Sequence, residues 1–154
     1  MKTEQRHLSI TQLDKKIAHF TEAKKQPVPG EGWIYSIRTA LGMSLKQLGN
    51  RLKMTPQGVK DMERREKDGS LTLQRLRDVA AALDMQLVYG LVPKDKTLED
   101  IIEKRARELA REIVMRTSQT MHLENQGLDA NAIKEAIDLR AEKIKKEMPS
   151  DLWN

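Results

Sequence analysis

The chain has 154 residues, a formal net charge of +5 and no cysteine. The lack of cysteine excludes disulfides and thiolate metal sites, which is typical of a protein from a reducing cytoplasm. No apolar run approaches the roughly 20 residues that a membrane span needs, and the N-terminus MKTEQRHLSITQ lacks the apolar core of a signal peptide. We therefore expect a soluble, cytoplasmic protein.

The positive charge is concentrated in the first part of the chain. Residues 1–93 contain 16 Lys and Arg against 10 Asp and Glu, whereas residues 94–154 contain 12 against 13. A local basic excess is typical of a surface that faces a polyanion such as DNA. A solvated basic surface is the alternative.

The N-terminal segment, residues 1–32, predicts an amphipathic helix followed by a linker. Ser9 and Gln12 have capping-box spacing, and apolar residues recur at intervals of three and four through residues 9–23. The sequence PVPGEG at 27–32 stops a helix. We expect this segment to be either an arm lying across the following domain or part of a dimer contact.

Residues 33–84 predict a small helical domain centred on two short helices and a tight turn, SLKQLGNRLKMTPQGVKDMERR (44–65). Ser44 and Thr55 can each cap a helix, and Pro56 then falls at a first helical position, where its missing N–H has no cost. The second helix keeps one apolar edge and an outward row of polar side chains, so it is suited to lie in a groove. The apolar positions expected to face inward are Leu45, Leu48, Leu52, Val59 and Met62.

Two more helices flank this pair. A leading helix is expected to begin near Trp33, and a closing helix is expected after a loop at 66–70, with Ser70 as its cap. The positions of these two helices predicted to face the core are Ile34, Ile37, Leu41, Leu73, Leu76, Val79, Ala80 and Leu83.

This region resembles the helix-turn-helix of the Cro and phage-repressor superfamily, the xenobiotic-response-element type of bacterial regulator. The residues that carry the resemblance are Ser44, Leu48, Gly49, Thr55, Gln57, Val59 and Glu63. Leu45 and Lys53 depart from the pattern, since the family usually has a phosphate-contacting Gln and often a turn Gly at these places. The resemblance implies a mainly α, Cro-like bundle that binds double-stranded DNA. It also implies a structural ion pair between Arg38 and Glu63, which would tie the leading helix to the third.

The outward face of the second motif helix is expected to read DNA. A Gln side chain can hydrogen-bond to adenine, and a Lys side chain can hydrogen-bond to guanine. Gly58 allows the helix to approach the DNA closely. Asp61 either accepts from a cytosine amine or orients Lys60. The predicted base-reading residues are Gln57, Gly58, Lys60 and Asp61. The predicted phosphate contacts are Ser44, Lys46, Lys53, Thr55, Arg64, Arg65 and Lys67.

The sequence MQLVYGLV (85–92) predicts one short strand within residues 85–93. Its alternating positions are Met85, Leu87, Tyr89 and Leu91. Because no other stretch offers a partner strand, we expect pairing with the same segment of a second chain, which gives a two-fold homodimer. Helix-turn-helix antitoxins of the HipB kind are similar in this respect. An extended connector is the alternative.

Residues 94–154 predict a helical hairpin. Thr97 can cap a long helix that ends near Leu123, Gly127 interrupts it, and Asp129 can cap a second helix. The terminal Leu152 and Trp153 are expected to dock back on this hairpin. Such a unit could serve dimerisation or hold a partner protein.

Within this tail, TMHLEN (120–125) resembles the inhibitory-helix signature of Fic-domain adenylyl transferases, which is Ser or Thr, three residues, Glu, and Gly or Asn. By this resemblance Thr120 anchors the helix, Glu124 occupies the place of the ATP γ-phosphate, and Asn125 ends the motif. A helix end whose Glu124 is simply exposed is the alternative.

Longer stretches resemble the family called mobile mystery protein A, helix-turn-helix proteins found beside a Fic-domain partner. They are GWIYSIRTALGMSL, GSLTLQRLRDVAAALDMQLVYGLVP and the tail from TLED onward. The resemblance implies a repressor that is the antitoxin of a Fic toxin and controls its own operon through an inverted-repeat operator. The alternatives are a Fic inhibitor whose DNA-binding fold is mainly a dimer scaffold, and a one-component regulator whose tail binds a small ligand.

We expect neither an enzyme nor a cofactor or metal site. The three histidines, His7, His19 and His122, are widely scattered, and the metalloprotease pattern H-E-x-x-H is absent. No Gly-rich loop follows a strand, and no positioned acid-base or nucleophile pair is evident.

Overall fold

The computed structural model describes residues 2–123 and 129–154, apart from the side chains of residues 120–123. Within this part of the chain the secondary structure is entirely helical, so the predicted mainly α class is confirmed. The α-helices are α1 (Thr3–Ala18), α2 (Trp33–Ala40), α3 (Leu45–Leu52), α4 (Pro56–Asp68), α5 (Leu73–Ala82), α6 (Leu98–Leu123) and α7 (Ala130–Glu147). Short 3-10 helices cover Glu22–Lys25 and Ser150–Trp153.

The chain divides into two compact units. We call Glu22–Gly90 the central unit, and Met1–Thr21 together with Leu91–Asn154 the terminal unit. The predicted N-terminal segment 1–32 is thus divided between them, with its helix in the terminal unit and its linker in the central unit. No helix of the described residues has both the length and the apolar character that crossing a membrane requires.

The central unit packs α2, α3, α4 and α5 around one apolar core. Its buried members are Ile34, Leu48, Val59, Met62, Val79 and Leu83. The helix starts of the central motif follow the predicted caps: the Ser44 hydroxyl accepts from the Gln47 N–H at 3.1 Å. The Thr55 hydroxyl accepts from the Gly58 N–H at 3.0 Å. Each cap satisfies an amide that would otherwise have no partner in the first turn.

The start of the closing helix differs from its prediction. The helix α4 continues to Asp68, and Thr72 rather than Ser70 caps α5, its hydroxyl accepting from the Arg75 N–H at 3.2 Å. With the helix starting there, Leu73 turns to solvent and Leu71 packs against the core instead. Leu41 is also exposed, because it follows the last residue of α2 and lies at its C-cap.

The predicted strand at residues 85–92 is not seen in the single chain, which has neither helix nor strand there. Asp84 adopts a left-handed φ of 56°, and the Met85 N–H closes α5 by donating to the Ala80 carbonyl at 2.7 Å. Beyond this point no backbone hydrogen bond joins residues 86–92 to another described residue. A strand exists only through a hydrogen-bonded partner, and alternation of apolar residues cannot supply one.

In the terminal unit α1 packs against α6. It begins at Thr3, well before the predicted start, because the Gln5 side chain accepts from the Lys2 N–H at 3.2 Å and closes an earlier first turn. The Asp14 carboxylate accepts from the Leu98 N–H at 2.8 Å, so α1 supplies a cap to the start of α6.

The helices α6 and α7 pack together in antiparallel order through a second apolar core. Its buried members are Ile102, Ala106, Ala110, Ala141, Ile144 and Leu152. Arg107 pairs with Asp138 at 2.5 Å near the middle of the helices, and Lys145 pairs with Glu99 at 3.3 Å toward one end. Burial lowers the pKa of Lys145, but its hydrogen bond to Glu99 and the neighbouring acidic charges outweigh this and raise the pKa above its ordinary value.

The end of the chain docks on α6 through Leu152, which is fully buried, whereas Trp153 remains exposed. The Arg105 side chain donates to the carbonyl of Leu152 at 2.6 Å and also to that of Asn154. The prediction that both Leu152 and Trp153 dock is therefore confirmed for the leucine only.

Candidate nucleic-acid interface

The turn between α3 and α4 sets how the second helix is presented. Lys53 ends α3 in the left-handed conformation, with φ 56° and ψ 45°, where the related pattern often has glycine. The Met54 N–H then donates to the Gly49 carbonyl at 2.8 Å. The left-handed conformation costs a lysine about 1–2 kcal/mol in steric strain, so the packing around the turn must stabilise it.

An ion pair between Arg38 and Glu63 joins α2 to α4. The Arg38 Nε lies 2.5 Å from Glu63 Oε1, and Nη2 lies 3.3 Å from Oε2. The remaining Nη1 donates to the Met43 carbonyl at 2.8 Å, and both charged side chains are less than a tenth exposed. Glu63 therefore faces the protein interior, which leaves the opposite side of α4 for an external partner.

A second contact between these helices was not expected from the sequence. The Glu66 carboxylate accepts from the Trp33 N–H and from the Ile34 N–H, each at 2.8 Å. It therefore caps α2 from α4, because the N-cap residue, Gly32, has no side chain that could do so. The sequence did contain a signal for this contact. The start of α2 has no Ser, Thr, Asp or Asn as its cap, so its first amides need an acceptor from elsewhere in the chain.

The outward face of α4 carries the predicted base-reading residues. Gln57 and Lys60 are exposed, Gly58 and Asp61 are half-buried, and all four lie on the first two turns of the helix. A Cβ atom added to Gly58 would lie 3.0 Å from the Met54 Cε and 3.3 Å from the Thr55 hydroxyl, so the helix is tightly packed at this point. Lys60 makes no ion pair or hydrogen bond with another described residue, which leaves its ammonium available.

Asp61 contacts different partners from those expected. Its Oδ1 accepts from the Gln57 amide Nε2 at 3.2 Å and lies 3.4 Å from the Arg64 Nη2. The sequence predicts either a cytosine contact or an orienting contact with Lys60, and the structure shows no contact of the second kind. Asp61 thus connects a predicted base-reading residue to a predicted phosphate contact.

The surface around this face is concave, and we call it the α4 concavity. It is lined by Glu31, Tyr35, Gln57, Lys60, Asp61, Glu63, Arg64 and Lys67. Glu31 and Tyr35 were missed by the sequence analysis, because they come from the linker and from α2 and reach α4 only in the folded chain. The Lys67 ammonium is paired with both oxygens of Glu31, at 3.0 and 3.2 Å, so this predicted phosphate contact already has an anionic partner.

The remaining predicted phosphate contacts lie at the helix starts and along α3 and α4. The hydroxyls of Ser44 and Thr55 accept the capping hydrogen bonds, which leaves their own protons free to donate. The exposed cations among them are Lys46, Lys53, Arg64 and Arg65. All of these residues belong to the central unit.

The segment predicted to pair across a dimer is exposed and apolar. Of its alternating positions, Met85, Tyr89 and Leu91 are at least half exposed and Leu87 is half-buried. The Tyr89 ring lies 5.8 Å from the Arg77 guanidinium, a cation–π distance. Residues 85–88 also line an apolar cleft of about 240 Å³ with Trp33, Ile34 and α5.

The predicted Fic-inhibitory motif lies outside what the structure describes. Glu124 and Asn125 are not among the described residues, and neither is the side chain of Thr120. No group of His, Asp and Glu side chains in the described part of the chain is arranged to hold a metal ion.

Comparison with known proteins identifies the class of the central unit. Residues 34–89 match the helix-turn-helix family model HTH_3. The chain therefore contains a helix-turn-helix domain of the Cro/C1 type, which supports a DNA-binding transcription regulator. Domains of this type are regulatory and typically non-enzymatic, and no catalytic family matches. No significant match was found among curated proteins or among solved structures.

Proposed function

We propose that the chain is a sequence-specific transcriptional repressor that binds an inverted-repeat operator as a homodimer. The observation that carries this proposal is the division of α4 into two sides. Glu63 and Glu66 bind α2, whereas Gln57, Lys60 and Arg64 are exposed on the surface. A helix anchored on one side and polar on the other can enter the major groove as a unit.

The chemistry of the exposed side fits DNA. A Gln amide can pair with the N6 and N7 of adenine, and a Lys ammonium can donate to the O6 and N7 of guanine. We assign these roles to Gln57 and Lys60. Cations on the same helices, Lys46, Lys53, Arg64 and Arg65, would hold the register on phosphates without reading sequence.

The homodimer is supported by the backbone of residues 86–92, which is unpaired within the described chain, and by their exposed apolar side chains. Their backbone groups have no partner among the described residues, and their apolar side chains are exposed beside an apolar cleft. A second copy offers the same combination, so antiparallel pairing would satisfy both chains at once. Two recognition helices related by a two-fold axis would then require half-sites about 34 Å apart.

Replacement of Gln57 by Ala tests the base-reading role. We expect it to relax selection at one base pair by about 1–3 kcal/mol, measured by selecting binding sites from random duplexes and then titrating single-base variants. The matched control is Gln74→Ala on α5, because Gln74 also donates to an aspartate four residues on, Asp78, at 3.1 Å. An equal loss of affinity for operator and random DNA in Gln57→Ala would contradict base reading.

Two neighbouring proline substitutions test the backbone pairing. Successive N–H groups of an extended strand point to opposite edges, so only one of Val88→Pro and Tyr89→Pro removes a donor from the paired edge. We expect one variant to sediment as a monomer and the other to remain a dimer. A dimer in both variants would exclude pairing through this segment.

We further propose that the repressor is the antitoxin of a Fic-domain toxin and represses its own operon. The support is the sequence pattern Thr120, Glu124 and Asn125 together with the resemblance to mobile mystery protein A. The test is adenylylation by a Fic-domain protein encoded beside this gene, with the full chain added. We expect Glu124→Ala to restore activity and Glu112→Ala, an exposed acid on α6, to keep it suppressed. Full suppression by Glu124→Ala would remove the inhibitory role.

A further inference from the structure

Asp61 is the meeting point of two side chains on the outward face of α4. Its Oδ1 accepts from the Gln57 Nε2 at 3.2 Å and lies 3.4 Å from the Arg64 Nη2. The Asp61 side chain is 38% exposed, less than the 66% of Arg64, so the carboxylate is partly covered by its neighbours. Gln57, Asp61 and Arg64 are spaced four and three residues apart and so follow one stripe of the helix.

The carboxylate decides which way the Gln57 amide points. An ionised carboxylate accepts hydrogen bonds and cannot donate them, so only the amide nitrogen of Gln57 can face it. A rotated amide would place its carbonyl oxygen against a second acceptor and lose the bond. The nitrogen therefore lies toward Asp61, and the oxygen is directed away from it.

We propose that Asp61 is a positioning residue that makes Gln57 select adenine on one strand of the operator. In that arrangement the second amide proton of Gln57 can donate to adenine N7, while its oxygen accepts from the adenine N6 amine. A freely rotating amide could also present its groups in the reverse order. This inference rests on the base-reading role of Gln57 proposed above.

The contact should matter more on DNA than in the free protein. An exposed pair four residues apart on a helix contributes little in water. Entry of α4 into the groove removes water from around the pair, and hydrogen bonds strengthen in a less polar environment. Arg64 acts on the same oxygen, so its positive charge helps to hold the carboxylate in place.

Two substitutions of Asp61 separate geometry from charge. Asp61→Ala and Asp61→Asn both remove one negative charge, so both are expected to bind every duplex more tightly. Asp61→Asn keeps an oxygen at this place, because the Arg64 guanidinium beside it can only donate and therefore favours the Asn oxygen over the Asn amide nitrogen. Asp61→Ala keeps no acceptor for Gln57 or Arg64. The measurement is the ratio of affinities for the selected operator and for the duplex with the adenine–thymine pair reversed, at constant salt.

We expect wild type and Asp61→Asn to keep this ratio. Asp61→Ala should lower it at least about fivefold, which is the lower end of what a good bidentate base contact contributes. In a Gln57→Ala background, Asp61→Ala should cause no further loss. The matched control is Asp78→Ala on α5, since Asp78 also accepts from a glutamine four residues earlier, Gln74, and pairs with a nearby arginine, Arg75. It should leave the ratio unchanged.

Three results would overturn the inference while leaving the repressor proposal intact. They are an unchanged ratio in Asp61→Ala, an equal loss in Asp61→Ala and Asp61→Asn, and a loss confined to a neighbouring cytosine. The last would mean that Asp61 itself contacts a base. If the wild-type chain selects no sequence at all, the base-reading role of Gln57 fails, and the positioning role of Asp61 fails with it.

Discussion

Gly49 and the carbonyl of Met54 approach so closely that no side chain fits between them. A Cβ added to Gly49 would lie 2.6 Å from the Met54 oxygen, and this neighbour is backbone, which cannot swing away. We expect Gly49→Ala to lower the free energy of unfolding by about 1–3 kcal/mol, as overpacking does in other cores. Thermal or urea unfolding measures the change.

The control for this substitution is Gly30→Ala. Gly30 has open space around its Cβ position and no left-handed φ, so the same change should be nearly neutral. Similar unfolding curves for the two variants would show that α3 and α4 can separate without cost.

Removal of either partner of the Arg38–Glu63 pair alone should strongly destabilise the fold. Glu63→Ala leaves the Arg38 charge buried and unpaired, for which we expect a loss of about 3–5 kcal/mol in urea unfolding. The exposed pair between Lys25 and Glu22 supplies the control, and Lys25→Ala should change stability by about 0–1 kcal/mol.

Simultaneous replacement of both partners gives a sharper result for the same pair. Because Arg38→Met with Glu63→Leu leaves no charge buried, the double variant should be more stable than Glu63→Ala. A double variant that is less stable than the single one would mean that the hydrogen bond from Arg38 to the Met43 carbonyl matters more than the ion pair.

Glu31 should weaken DNA binding by pairing with Lys67. Glu31→Gln frees the Lys67 ammonium, so affinity for any duplex should rise, and the slope of log affinity against log salt should steepen by about one phosphate contact. Fluorescence anisotropy at several salt concentrations measures both quantities. Glu22→Gln removes an equal charge from the same unit outside the α4 concavity and should have a smaller effect. If Glu31→Gln and Glu22→Gln change DNA binding equally, Glu31 acts only through its charge and not through its pairing with Lys67.

The cap that Glu66 supplies to α2 should be measurable as stability. Glu66→Ala leaves the Trp33 and Ile34 amides without their acceptor, and we expect a cost of about 0.5–2 kcal/mol in thermal unfolding. The exposed Asp68, two residues further along α4, is the matched control and should stay within about 0.5 kcal/mol. A neutral Glu66→Ala would indicate that water replaces the carboxylate.

Local chemistry makes the central motif predictable from the amino-acid sequence. The caps at Ser44 and Thr55, Pro56 at a first helical position, and the inward leucines all act within one or two turns of chain. Prediction fails where two caps compete. Both Ser70 and Thr72 could begin α5, and only the packing of Leu71 against the core decides between them.

The sequence by itself determined the helical class, the two motif helices and which side chains of α4 face outward, because each depends on spacing along a few turns. The tertiary structure decided which distant charges meet: Glu66 with the start of α2, Glu31 with Lys67, and Asp14 with the start of α6. It also showed that residues 85–92 form no strand in a single chain. Pairing of this kind depends on a partner in space, and no pattern along one chain contains that partner.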